Sequence, residues 1–219
     1  MKVYNVFTNL KGHFGNPVGI IVDEAKKFQP QQRQRISANS GFSETVFIDD
    51  IKDCKIEIYN PQGKIDFSGH AILGCAYFFH MLDRRQKHII IIGDMKVCSK
   101  QEDNLTLIET DPKFMPKWNM MEFKTPIEID ERSCQSINAF QHTYAWSWIN
   151  RDSGLIRART FAPDWGIPED KANGSGSVLL CSKLRQNLQI QHGKGSVIFT
   201  KYTTPNTVEL GGFVKKISD

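Results

Sequence analysis

The 219-residue chain has no long apolar run, no paired-cysteine motif and no strong charge of either sign. Its longest apolar stretch, around Ala71–Leu82, falls short of the roughly 18 residues that span a bilayer and is broken by Gly74. The opening MKVYNVFTNLKG lacks the apolar segment of a secretory signal, so the chain reads as cytoplasmic, without a membrane partner. Lysine and arginine total 28 against 24 acidic residues, a mild excess spread along the chain, which argues against a nucleic-acid partner. Cys54, Cys75, Cys98, Cys134 and Cys181 are odd in number and never form Cys-x-x-Cys, which argues against a zinc site, a redox pair or a disulfide framework. The six histidines show no metal-ligand spacing, and no metal is expected. Gly-x-Ser-x-Gly is absent, and Gly174-Ser175-Gly176-Ser177 lacks the Gly-Lys-Ser/Thr of a phosphate loop. No glycine fingerprint follows a first strand, so nothing supports a nicotinamide or flavin fold.

What remains has ordinary globular composition, 40% apolar and 24% charged. Val3–Phe7, Val18–Val22, Thr45–Asp49, Lys55–Tyr59, His88–Ile92 and Asn104–Glu109 read as strands, short and rich in β-branched and aromatic residues. The last two are read with a polar turn between them. Pro30 opens a polar helix over Gln31–Asn39, and Gly41 sits where it stops. Met120–Lys124, Ile127–Asp130, Leu155–Phe161, Gly195–Thr200 and Thr207–Gly211 read as further strands, while the aromatic-rich Ser136–Ile149 has no clear period. Pro112 and Pro116 punctuate a domain boundary, giving residues 1–115 and 116–219 as two units. The segment His70–Leu82 is apolar on nearly every side, and a helix of that kind is buried all round, so a sheet has to curl about it. A second helix near 175–187, with Val178-Leu179-Leu180-Cys181 at its heart, looks similar.

Both helices are approached in the same way. Tyr59-Asn60-Pro61 leads through Gly63 to Ser68-Gly69-His70, and Phe161-Ala162-Pro163 leads through Gly166 to Asn173-Gly174-Ser175. Pro61 and Pro163 lie 102 positions apart, about half the chain, which suggests two related halves. A glycine-led helix start exposes backbone N–H groups and the positive end of the helix dipole, so two starts facing each other would hold a small carboxylate. The alternative is that both glycines merely allow tight packing.

The chain resembles the phenazine-biosynthesis isomerase (PhzF-like) family, which shares the diaminopimelate-epimerase fold. The matching motifs run in order: Val6-Phe7-Thr8 with Gly15-Asn16-Pro17; Ser43-Glu44-Thr45; Phe67-Ser68-Gly69-His70 with Leu73-Gly74; and Phe161-Ala162-Pro163 through Asp170 to Gly174-Ser175. The tail Val208–Val214 is also similar. The resemblance implies an α+β fold of two related domains, each a curled, mostly antiparallel sheet around a central buried helix, with the site between them. It also implies proton-transfer isomerisation without a cofactor. There are departures. The family's Gly-His-Pro is Gly69-His70-Ala71, and its Asp-Pro-Ala-Thr-Gly-Ser is Asp170-Lys171-Ala172-Asn173-Gly174-Ser175. The chain is also short between Pro116 and Leu155, so the second domain is expected to lack strands.

Glu44 is the leading candidate for the base. Phe42, Val46 and Phe47 flank it, and partial burial is expected to raise its pKa toward neutrality. A surface glutamate, or a capping partner of Ser40 or Ser43, is the alternative. His70 is a candidate hydrogen-bond donor or second proton carrier, or else a helix-capping histidine. Asp170 is an acid/base or substrate-orienting candidate, or else a dipole-stabilising aspartate. Gly69, Gly174 and Ser175 would offer donors to the substrate and to enolate-like charge, and Asn16 reaches for the same cleft. The expectation is a cofactor-independent isomerase or epimerase of a small carboxylate-bearing metabolite, a homodimer, with a non-catalytic ligand-binding or protein-binding member of the same fold as the rival.

Overall fold

The computed structural model describes residues 1–83, 87–137 and 142–218. The first half contributes β1 (Lys2–Thr8), β2 (Asn16–Val22), α1 (Pro30–Asn39), β3 (Glu44–Asp50), β4 (Lys55–Tyr59), the two-residue β5 (Lys64–Ile65), α2 (Gly69–Leu82), β6 (Lys87–Ile92), β7 (Met95–Glu102) and β8 (Leu105–Thr110). The second contributes β9 (Asn119–Glu122), α3 (Pro126–Asp130), β10 (Thr143–Asn150), β11 (Leu155–Ala162), β12 (Ile167–Asp170), α4 (Gly174–Leu184), β13 (Leu188–His192), β14 (Ser196–Thr204) and β15 (Thr207–Ser218).

The strand pairings repeat. In the first half β2–β3 is parallel, β3–β4 and β4–β5 antiparallel, β4–β6 parallel, and β6–β7 and β7–β8 antiparallel. In the second, β9–β10, β10–β11, β11–β12, β11–β13, β13–β14 and β14–β15 have the same orientations in the same order. Two hairpins set the register between halves. Asp50 pairs with Lys55 and Asn150 with Leu155, and the last residue of each turn, Cys54 or Gly154, is left-handed. Glu44 therefore corresponds to Tyr144. Through the parallel pairs Val18–Glu44 and Met120–Tyr144, Asn16 corresponds to Trp118.

The halves differ in closure. β15 is twelve residues long; its first part pairs with β8 and β14, and its last part with β1. The first half thereby closes into a ring of eight strands, β1-β2-β3-β4-β6-β7-β8-β15, around α2. Buried Ile72, Leu73, Cys75, Ala76, Phe78 and Phe79 fill the interior. That burial explains why a helix apolar on every side is stable there. Among the described residues the second half has no counterpart of β1. β8 stops at Thr110, where Asp111 and Pro112 start a 3-10 turn, and the sheet ends open at β9.

Several local expectations need correction. Met95–Glu102 is a strand, not part of a polar turn; Lys96, Ser99, Lys100 and Gln101 dilute its apolar alternation, and Lys100 is held by Glu102 and Glu209. Ile127–Asp130 belongs to a helix, because Pro126 and the Thr125 cap, whose hydroxyl accepts from Glu128 N, start a helical turn. The second buried helix ends at Leu184 rather than 187, where Arg185 turns left-handed. Of the aromatic stretch, residues 138–141 lie outside the described residues, and Thr143 onward is β10.

α1 shows how a polar helix is held. Only Arg33 and Ser37 are buried. The Arg33 guanidinium pairs with Asp23 (2.8 Å), Asp49 (2.6 Å) and Glu57 (2.8 Å) and lies over the Phe47 ring. These partners are what make burying the charge tolerable. Ser40 caps the helix, and left-handed Gly41 turns the chain toward Ser43 and Glu44.

Candidate active site

The starts of α2 and α4 face each other. A Cβ on Gly69 would lie 3.9 Å from the Gly174 Cα, and on either glycine it would strike Leu210 Cδ2, at 2.8 Å and 3.0 Å. The tight-packing reading of these glycines is therefore true, and close approach is also what brings two dipole ends together. Buried Phe7, in a left-handed bulge of β1 (φ 66°), fills the space beneath Gly174. A bulky residue held there stores strain of the kind that collects at functional sites.

Around this junction the structure gathers every site residue expected from the sequence. Glu44 opens β3, and its Oε2 lies 2.9 Å from His70 Nε2, an ion pair whose alignment falls short of a hydrogen bond. Ser68 Oγ sits 3.3 Å from the other ring nitrogen. Asp170 ends β12 and accepts from Asn16 Nδ2 (3.0 Å), Ala172 N (3.1 Å) and Asn173 Nδ2 (3.1 Å). Ser43 Oγ donates to Asn16 Oδ1 at 3.4 Å, joining the Glu44 turn to Asp170. Ser175 Oγ donates to Asn173 Oδ1 (3.2 Å).

The electrostatics reverse one expectation. Burial does push the Glu44 carboxyl up, but the His70 imidazolium and the Ser43 and Ser68 hydroxyls outweigh it and hold Glu44 below its ordinary value. Burial likewise disfavours charge on His70, and Glu44 and Asp170 overcome it, holding the imidazole above its ordinary value. The carboxyl that is raised is Asp170. Burial lifts it to about 6, against the pull of His70 and of the Ala172 N–H. Flanking apolar residues alone suggested a raised Glu44; only the tertiary contact with His70 changes the sign. The cluster thus holds a carboxyl held low, an imidazole held high and a carboxyl raised to about 6, able to exchange a proton near neutrality.

Sequence reasoning missed the residues that complete the second half of the site. Trp118, the counterpart of Asn16, donates its indole N–H to Ser175 Oγ (2.9 Å) and meets His142 and Trp165 edge-on. Tyr144, the counterpart of Glu44, is fully buried; its hydroxyl lies 2.9 Å from Ser177 Oγ, and burial pushes its pKa well up. Neither lies in a recognisable motif. Trp118 falls in the segment where the chain is short relative to the family, and Tyr144 in the stretch without a clear period. Asn173 could have been read from its position before Gly174: its Oδ1 accepts from Gly176 N (2.6 Å) as the α4 cap, whereas Ser68 makes no side-chain cap on α2.

Comparison with known proteins bears on the family and the fold. The family model for phenazine biosynthesis-like proteins matches residues 4–110. The chain is PhzF-like. A trans-2,3-dihydro-3-hydroxyanthranilate isomerase of Pseudomonas fluorescens is 24% identical in an alignment 217 positions long, with 82% of this chain and 78% of that one covered. Among solved structures, a PhzF-family phenazine biosynthesis protein of Enterococcus faecalis superposes with a TM-score of 0.77 at 16% identity, covering 99% of this chain and 97% of that one. A probable proline racemase of Agrobacterium radiobacter gives 0.55 at 9% identity, covering 100% and 92%. The PhzF-like fold is therefore α+β and epimerase-like. Among the described residues no helix is long and apolar enough to cross a membrane, and no group of three or more His, Cys, Asp or Glu side chains could hold a metal.

Proposed function

We propose that the chain is a cofactor-independent isomerase that moves a carbon-bound proton on a small carboxylate-bearing substrate, with Glu44 as the base. The observation that carries this reading is the Glu44–His70–Asp170 cluster at two facing helix starts. Glu44, ionised above its lowered range, abstracts the proton. The backbone N–H groups at Gly69 and Gly174 and the two dipole ends steady the substrate carboxylate and the enolate-like charge that follows. His70 keeps Glu44 charged and oriented, and Asp170 supplies or takes up the second proton. Kinship with a named isomerase supports the same reaction class.

The asymmetry of the site favours a proton shift over a two-base inversion. The position mirroring Glu44 holds Tyr144, whose hydroxyl keeps its proton, and the position mirroring His70 holds Ser175. The open second half favours the rival, a ligand-binding protein without turnover. Incubation of candidate hydroxy and amino acids in heavy water separates the two. The wild type should place deuterium on carbon, and Glu44→Gln should slow that exchange by about a thousandfold, with Tm lowered by the loss of the His70 pair but the fold retained. Exchange at the wild-type rate in Glu44→Gln would assign the base to Asp170 or His70, and no exchange on any substrate in the wild type would leave the ligand-binding reading.

A further inference from the structure

A cavity of about 470 Å³ adjoins Asp170, and neither Glu44 nor His70 lines it. Its walls come from both halves: residues 14–17 on one side, residues 169–171 and 193–196 on the other. Ser196, buried, ties them together, accepting from Gly15 N (3.1 Å) and donating to Lys171 O (3.0 Å). The Phe14 ring lies against Gly195 as a further wall. A cleft of this size between halves suits a small organic ligand rather than a single water.

Its charge is lopsided. Lys171 and Lys194, both exposed, line it, and neither forms an ion pair among the described residues. Glu169 is a third charged wall residue, but its carboxylate is taken by Arg159 through two bonds of 2.8 and 2.9 Å. Asp170 is the fourth, and its oxygens accept from Asn16, Ala172 and Asn173. The two lysines therefore bring positive charge to the cavity wall, where Glu169 feels Lys194 but is already bonded to Arg159. Lys171 also stands where the resembling motif has proline, so this charge belongs to this chain and not to the shared pattern.

We propose that the cavity is an anion subsite next to the reaction site, in which Lys171 and Lys194 hold a second acidic group, carboxylate or phosphate, of a ligand whose first carboxylate lies at the helix starts. Calling that ligand the substrate rests on the isomerase reading; the selectivity for two acidic groups does not. Calorimetric titration with butyrate, glutarate and 4-phosphonobutyrate tests it. The wild type should bind one of the two dianions about tenfold more tightly than butyrate, the size expected of two partly exposed ion pairs. Which dianion wins decides between carboxylate and phosphate. Lys171→Gln/Lys194→Gln should erase the preference, Lys194→Arg should keep it, and Glu44→Gln should leave it intact. Equal binding of all three ligands by the wild type, or a preference that survives in the double glutamine variant, overturns the subsite. If the preference depends on the lysines but none of the candidate hydroxy and amino acids exchanges deuterium in heavy water, the isomerase reading fails and the subsite stands.

Discussion

The two halves share six strand pairings and a glycine-led central helix, yet they carry opposite chemistry at equivalent points. Glu44 and His70 form an ion pair where the second half places Tyr144 and Ser175. The first helix start has no side-chain cap, so its donors remain for a ligand, while Asn173 caps the second and also holds Asp170. The first sheet closes on itself, and the second stays open beside Trp118. A repeated scaffold thus supplies two facing dipole ends; the proposed base, Glu44, lies in the first half and the raised acid, Asp170, in the second.

The largest effect should come from that difference. Tyr144→Phe removes a hydroxyl from a buried pair with Ser177 and should cost about 1 kcal/mol of stability. It should keep proton exchange within about threefold of wild type, against the thousandfold loss expected of Glu44→Gln. A comparable loss in both would mean that the second half carries a base after all.

Asp170 sharpens the comparison through stability. Its folded pKa, about 6, lies above the ordinary 3.8, so the folded protein binds the proton more tightly than the unfolded chain. Stability from this group is therefore full below about pH 4 and falls as pH rises to about 6. Asp170→Asn should remove that slope and raise stability at pH 7 by on the order of 2 kcal/mol, with activity lost. Urea unfolding at pH 4 and pH 7 reads it; an unchanged slope would show that Asp170 is not the raised group. Glu44 has the opposite sign: its contribution is present above the ordinary carboxyl pKa and is lost as pH falls through its lowered value.

The smallest expected difference concerns the caps. Asn173→Ala should cost about 1 kcal/mol, and Ser68→Ala nearly nothing, because only Asn173 accepts from its helix. Equal losses in thermal denaturation would remove the asymmetry of the two helix starts.

Much of the fold was legible because it is written in local signals. The all-apolar His70–Leu82 segment can only be an enclosed helix, and the paired approaches at Pro61 and Pro163 disclose the duplication. The strands with β-branched runs were legible, while Met95–Glu102, Ile167–Asp170 and Leu188–His192 were not, because polar residues on their exposed faces dilute the signal. The site residues were legible as motif members, but their charge states were not. Glu44 sits among apolar neighbours in sequence, and its electrostatics are set by His70, 26 positions away.

By itself, then, the order of residues determined two enclosed helices with glycine starts, the short strands that wrap them, and a carboxylate-rich set of candidates at their approaches. Those follow from burial, backbone freedom and turn chemistry, which act over a few residues. Tertiary structure alone decided that β15 closes one ring and leaves the other open, that Tyr144 mirrors Glu44, and that Asp170 rather than Glu44 is the raised acid. Each of these depends on which distant groups meet in a low-dielectric interior. Coulombic and desolvation effects there are strong enough to reverse what neighbours in sequence suggest.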